Sequence, residues 1–133
     1  MTTASISIPE SFYALLSQPL VSCFATIGPE GEPQLSPVWH DWDGENVRVA
    51  VLDETRKARN VENDTRVALT VVDPENPARY IEIRGRVTRH LDQNDEYGDR
   101  LARNYLGKDH LPWSTPDVRR WILTIHPTRV ITT

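Results

Sequence analysis

Cys23 is the only cysteine in the 133 residues. No internal disulfide can form, and no cysteine-rich zinc site can be built. A reduced, cytosolic setting is expected. No apolar run approaches the roughly 18–20 residues that would cross a membrane. The N-terminal MTTASISIPESF has no basic region followed by an apolar run, so no secretory signal is expected. Positive charge is not in excess: 15 Lys and Arg against 19 Asp and Glu leave a net charge of −4. General nucleic-acid binding needs the opposite balance. His90, His110 and His126 fall at none of the HxH or HExxH spacings, so no metal site is expected. GxSxG, GxGxxG and GxxxxGK[ST] are all missing, and Cys23 sits mid-strand without a nearby base. Covalent hydrolysis, the dinucleotide fingerprint and the P-loop therefore find no support.

What is present reads as one domain over residues 1–133, large enough to bury a core without staples. SIPESFYALLSQ predicts a short helix with Pro9 at its first position and Phe12, Leu15 and Leu16 on one face. LVSCFATI and PQLSPVWHDW predict strands separated by the GPEGEP turn, and DGEN predicts a hairpin into NVRVAVL. A helix is expected from about Glu54 to Asn63. RVALTVV is apolar on both faces, which predicts cover on both sides. In RYIEIRGRVTRHL, Gly85 falls on the apolar face and marks a bulge or a close approach. DQNDEYGDRLARNYLG predicts a helix with Asp92 as N-cap, Leu101 and Tyr105 one turn apart, and Gly107 as C-cap. KDHLPWSTPD reads as a loop, and VRRWILTIHPTRVITT as one or two closing strands. The order is helix, three strands, helix, two strands, helix, strand. It predicts a mainly β fold, a small β-barrel with helices packed outside.

Two stretches stand out chemically. In LDETRKARNVENDTRVAL, the cations Arg56, Lys57 and Arg59 crowd a helix start, the positive pole of the macrodipole. Thr55 can cap that helix and also donate a hydroxyl bond. Together these groups suit a phosphate. A solvated helix end, with Asp53 paired to Lys57 and Glu54 offsetting the dipole, accounts for them as well. The residues alone leave both readings open. In PQLSPVWHDW, each proline removes a ladder donor, so Pro37 marks an edge or bulge with neighbouring backbone groups free to bind. Trp39 and Trp42 suit a core or an interface. His40 and Asp41 point to opposite faces of a strand, so they form no dyad, and His40 reads as a surface histidine. An anion site without obvious catalytic side chains fits a cofactor-dependent enzyme or a ligand binder.

The segment VSCFATIGPEGEPQLSPVWHDWDGENVRVAVLDETRKARNVENDTRVALTVVDPENPARYIEIRGRV resembles the flavin-binding split β-barrel family related to pyridoxamine 5′-phosphate oxidase. Within it, the similarity is greatest to the branch that uses the deazaflavin F420. Three pieces carry it in family order: ATIGPEGEPQLSPVW, TRKARNV followed by D.RVAL, and Y.E.RGRV. The resemblance implies a six-stranded antiparallel split barrel of the FMN-binding type. It also implies a homodimer with two cofactor sites at the subunit interface, in the cytoplasmic setting that the single cysteine already suits. Thr55, Arg56 and Lys57 would hold the cofactor phosphate, and Lys57 matches the lysine typical of the F420 branch. Gln34, Ser36, Pro37, Val38, Trp39, Ala50 and Val51 would line the ring. Arg59 and Arg79 are candidates for an anionic tail. Trp113 and His110 of the GKDHLPWSTPD loop would border a substrate pocket. The implied activity is F420-dependent oxidoreduction of a small organic molecule, with no catalytic side chain required. The alternatives are an FMN-dependent oxidoreductase of the pyridoxamine-phosphate-oxidase type, or a non-catalytic protein that binds flavin, F420 or haem.

Overall fold

A computed structural model describes residues 6–133, so the first five residues of the MTTASISIPESF segment, for which no secretory signal is expected, lie outside it. Six strands form: β1 Val21–Ile27, β2 Pro33–Trp42, β3 Val47–Leu52, β4 Arg66–Val72, β5 Tyr80–Leu91 and β6 Arg120–Thr132. The helices are α1 Tyr13–Leu16, α2 Arg56–Asn63 and α3 Glu96–Leu106. The strands close into a barrel in the order β1-β2-β3-β6-β5-β4, and every pair is antiparallel. The expected mainly β barrel and its element order are both present. The first helix is shorter than expected. Pro9 leads into a 3₁₀ turn at Glu10–Phe12, and only four residues of α-helix follow. Phe12, Leu15 and Leu16 are nonetheless all buried.

The core follows from alternation. Phe24, Val47, Val49, Val51, Leu69, Val71, Ile81, Ile83, Leu123 and Ile125 all point inward and are almost fully buried. Each such side chain contributes roughly 1.5–3 kcal/mol relative to exposure. α2 packs against β1 and β3, burying Ala58, Asn60 and Val61. On β4, Val67, Leu69 and Val71 are buried, while Ala68 and Thr70 are half-buried and Val72 is 44% exposed. In the single chain the outer face of β4 is therefore only partly covered. Val21 (63%) and Leu35 (68%) extend this exposed apolar face across β1 and β2, with Cys23 between them.

Two irregularities shape the barrel. Gly85 pairs with Pro127 while Arg84 pairs with Arg129, which leaves Thr128 as the extra residue of a bulge in β6. A Cβ at Gly85 would run into the backbone carbonyl of His126. Both the bulge and the close approach expected at Gly85 are thus found, and the bulge lets a single closing strand carry Pro127. The second irregularity is the split. β2 pairs with β1 from Pro33 to Trp39 but with β3 only from His40 to Trp42. β3 turns away and pairs with β6 instead. From Pro33 to Trp39, one edge of β2 has no strand partner among the described residues, and Pro37 lies within that free edge.

Candidate functional site

A cleft of about 160 Å³ opens beside the free edge of β2. Pro37, Val38 and Trp39 form one wall, Ala50 and Leu52 of β3 another, and Lys57 of α2 stands at the rim. Leu101 of α3, Leu111, Trp113 and Arg120 complete it. Pro37, Val38, Trp39, Ala50, Lys57 and Trp113, named from the sequence, thus meet at one place.

The helix end is ordered by Thr55. Its hydroxyl accepts from the Ala58 amide at 3.4 Å and donates to the Leu52 carbonyl at 2.7 Å. It caps α2 as expected, but its proton is committed to Leu52 rather than left for a ligand. The amides of Arg56 and Lys57 have no intrahelical partner, because the first turn of any helix lacks acceptors. Among the described residues, no carboxylate pairs with Arg56, Lys57 or Arg59. The anticipated Asp53–Lys57 pair is not formed. Asp53 instead accepts from the Trp121 indole at 2.8 Å and lies 4.0 Å from Arg119. Lys57 is half-buried at the cleft, while Arg56 and Arg59 are exposed.

A polar chain ties α2 to the free edge. Asn60 donates to Thr26, Thr26 to the Gln34 carbonyl oxygen, and the Gln34 amide to Ser36, each at 3.0 Å. Gln34 and Ser36 are therefore positioned by one another. Val51 points into the core at 2% exposure, so only its backbone faces away from the barrel interior. His110 is exposed and bonds Asp99 at 3.0 Å instead of lining the cleft, and that carboxylate raises its pKa. Arg79 bonds the Ser11 carbonyl at 2.7 Å and covers the Phe12 ring at 4.2 Å, which commits it to anchoring the N-terminal segment.

The reading of His40 as a surface residue is corrected. It is 1% exposed, on the same inward face as Val38. Its Nε2 lies 3.0 Å from the Leu16 carbonyl and its Nδ1 2.5 Å from the Ser22 hydroxyl. A carbonyl can only accept, so Nε2 carries the proton and Ser22 donates to Nδ1. Asp41 points the other way, to Arg48 at 2.5 Å, Arg100 at 3.1 Å and the Tyr97 hydroxyl at 2.9 Å. As expected, the two neighbours form no dyad. Burial lowers the His40 pKa from 6.5. As pH falls through that value the unfolded chain takes up the proton first, so stability is full above it and declines below. The melting temperature is expected to drop from pH 7 to pH 5, and to drop less in His40→Gln. Equal slopes in thermal unfolding would remove His40 as the cause.

Sequence reasoning missed two contributors. Tyr105 stacks on Trp39 with ring centroids 4.4 Å apart and planes 8° apart, and Trp113 leans on the same indole at 5.8 Å. Arg120, 3% exposed, is held between Asp92 and Asp95 at 3.3 Å each and reaches Ser114 of the cleft loop at 3.4 Å. Asp92 also accepts from the amides of Tyr97 and Gly98, so it caps α3 from outside its first turn. The spacing of Leu101 and Tyr105 hinted at the first contributor. No local signal marks Arg120. Among the described residues, no cluster of His, Cys, Asp or Glu is placed to hold a metal, and no helix is long and apolar enough to cross a membrane.

Comparison with known proteins agrees with this geometry. An F420 reductase of known structure is 35% identical, superposes with a TM-score of 0.81, and covers 93% of this chain and 98% of its own. A conserved hypothetical protein from Mycobacterium tuberculosis shares the fold at 19% identity and a TM-score of 0.71, over 99% of this chain and 88% of its own. So does a putative pyridoxamine 5′-phosphate oxidase from Listeria innocua, at 16% identity and 0.68, over 92% and 95%. No curated protein matches the chain. The sequence model for pyridoxamine 5′-phosphate oxidase matches residues 8–133. With a closed six-stranded barrel over the same span, the chain belongs to the pyridoxamine 5′-phosphate oxidase family.

Proposed function

We propose that the protein is a cytoplasmic F420-dependent oxidoreductase that acts on a small organic substrate. One observation carries the reading: the open end of α2 with Lys57 and the free edge of β2 border the same largely apolar cleft. The donor set suits such a cofactor. Two unpartnered amides and up to three cations answer a phosphate, free backbone groups answer the polar edges of a ring, and aromatic side chains answer its faces. The 35% identity to an F420 reductase supports the deazaflavin in particular. When bound, that cofactor supplies the hydride chemistry. The chain's own part is to anchor the anion through Lys57, orient the ring along β2 and exclude water with Trp39 and Trp113. Among the described residues, Lys57 and Arg120 are the only titratable groups lining the cleft, and Arg120 is tied to two aspartates. Solvent then delivers the substrate's proton.

At about 160 Å³ the cleft is smaller than the roughly 300–1,000 Å³ usual for small-molecule sites. A homodimer in which a second copy completes each site accounts for this. The apolar face of Val21, Cys23, Leu35 and Val72 is the surface we assign to that contact. FMN is the second reading, because the same anion clamp would serve its phosphate and the family model is that of an oxidase for a phosphorylated amine. Titration with each cofactor, followed by tryptophan fluorescence, separates the two. F420 is expected to quench at concentrations where FMN does not. The reverse order would replace F420 by FMN, and binding without turnover of reduced F420 on enones or quinones would leave a carrier.

A further inference from the structure

The loop between α3 and β6 hangs by little. Among the described residues, the stretch 111–118 makes one hydrogen bond to the rest of the chain, from Arg120 to the Ser114 hydroxyl at 3.4 Å. Its other bonds are internal, from the amides of Ser114 and Val118 to the carbonyls of Leu111 and Thr115. Yet this stretch brings Leu111, 6% exposed, and Trp113, 53% exposed, to the cleft.

The far end of that single bond is held from several sides. The Arg120 side chain is 3% exposed and that of its partner Asp92 1%. A charge pair this deep adds little stability, because desolvation offsets the attraction; what it fixes is geometry. Asn94 and Asp95 are successive non-glycine residues with φ of 57° and 56°. Backbone of this kind persists only where its surroundings hold it. Here it brings Asp95 to the same Nη1 that Asp92 binds, at 3.3 Å each. Gly98 is needed as well. A Cβ there would lie 2.5 Å from Nη1 and 3.3 Å from the Leu111 Cδ1. A strained turn, a missing side chain and two carboxylates thus converge on one guanidinium, whose Nη2 holds the loop.

We infer that Arg120 is a positioning residue that straps the 111–118 loop across the cleft, so that opening of this strap sets how fast a bound group leaves. The walls supplied by β2 and β3 are barrel strands, and the α3 wall is a packed helix. The loop is the wall with one tether, and segments with few bonds open first. The inference deepens the oxidoreductase reading by naming the gate of that same site. It rests on that reading only for F420 as the group retained.

Arg120 itself is a poor target, since its loss would leave Asp92 buried without a counter-charge. The clamp is better cut at its outer ends. Ser114→Ala removes the loop's tether, and Asp95→Asn removes one of the two carboxylates that aim the guanidinium. In the ligand-free protein, Ser114→Ala is expected to speed hydrogen exchange of the amides at 114 and 118 about ten-fold, the low end for one hydrogen bond to a charged group. Asp95→Asn should move the same amides in the same direction, while the β4 and β5 amides stay as they were. Ser114→Thr keeps the hydroxyl and is expected to behave as the wild type. In stopped flow, Ser114→Ala is expected to release F420 about ten-fold faster and to bind it within about three-fold of the wild-type rate, because such changes fall mostly on release. A merely structural role would speed exchange in β4 and β5 too and leave release alone. That outcome, loop exchange unchanged in both variants, or Ser114→Thr as loose as Ser114→Ala would each overturn the inference. F420 failing to bind the wild type would sink the oxidoreductase reading alone, and FMN then serves as the released probe. Binding of neither would overturn the strap as well.

Discussion

Replacing Arg56 and Lys57 together by alanine is expected to weaken cofactor binding by about 3–6 kcal/mol, taking roughly 1.5–3 kcal/mol for each charged hydrogen bond. That is about 10²–10⁴-fold in Kd. Isothermal titration of wild type and double variant with F420 measures it directly. Lys57 should carry more of the loss than Arg56, since it is half-buried at the cleft while Arg56 is exposed. The same change should have the opposite sign on the protein without ligand. Two cations at the positive pole of α2 cost about 0.3–1 kcal/mol each, so their removal raises stability slightly. Tighter folding with weaker binding is the signature of residues kept for a ligand. Unchanged affinity would return the cluster to a solvated helix end.

Gly85→Ala is expected to destabilise the barrel by at least the upper end of the roughly 1–3 kcal/mol usual for overpacking. The obstacle is backbone, the carbonyl of His126 and the Pro127 Cα at 3.1 Å, which no rotamer change can move aside. The β5–β6 pair must part locally, at the bulge that seats Pro127 within β6. Urea unfolding should show a lower midpoint with an unchanged slope. A loss below about 1 kcal/mol would mean that the bulge can slide to a new register and absorb the methyl group.

The sequence pattern carried the fold well, because barrel strands alternate and turns are marked by glycine and proline. Val47, Val49 and Val51 against Arg48 and Ala50 is one such signal, and the burial agrees with it. Pro37 announced the free edge for a chemical reason, the missing amide. His40 failed because its residue type was weighed above its parity. It shares the inward face with Val38, and only the partners Leu16 and Ser22, 24 and 18 residues away, make that burial tolerable. The Thr55 hydroxyl could be read as a cap but not as already spent on Leu52. Tyr105 and Arg120 were hidden for a related reason. Their roles depend on contacts with Leu20, 85 residues away, and Asp92, 28 residues away, and no window of sequence contains such pairs.

The strand order also sets a timetable. β3 is made early in the chain, yet one of its edges waits for β6, with Val49 meeting Leu123 and Val51 meeting Trp121. Until that distant partner docks, a Val-rich edge stands open as a template for any passing strand. Closing so long a loop is slow, and contacts this non-local place folding in the range of milliseconds to seconds. Crowded synthesis should therefore punish this chain through β3. Substitutions that delay β6 would show first as aggregation of newly made protein, before any loss of stability is seen in the finished barrel.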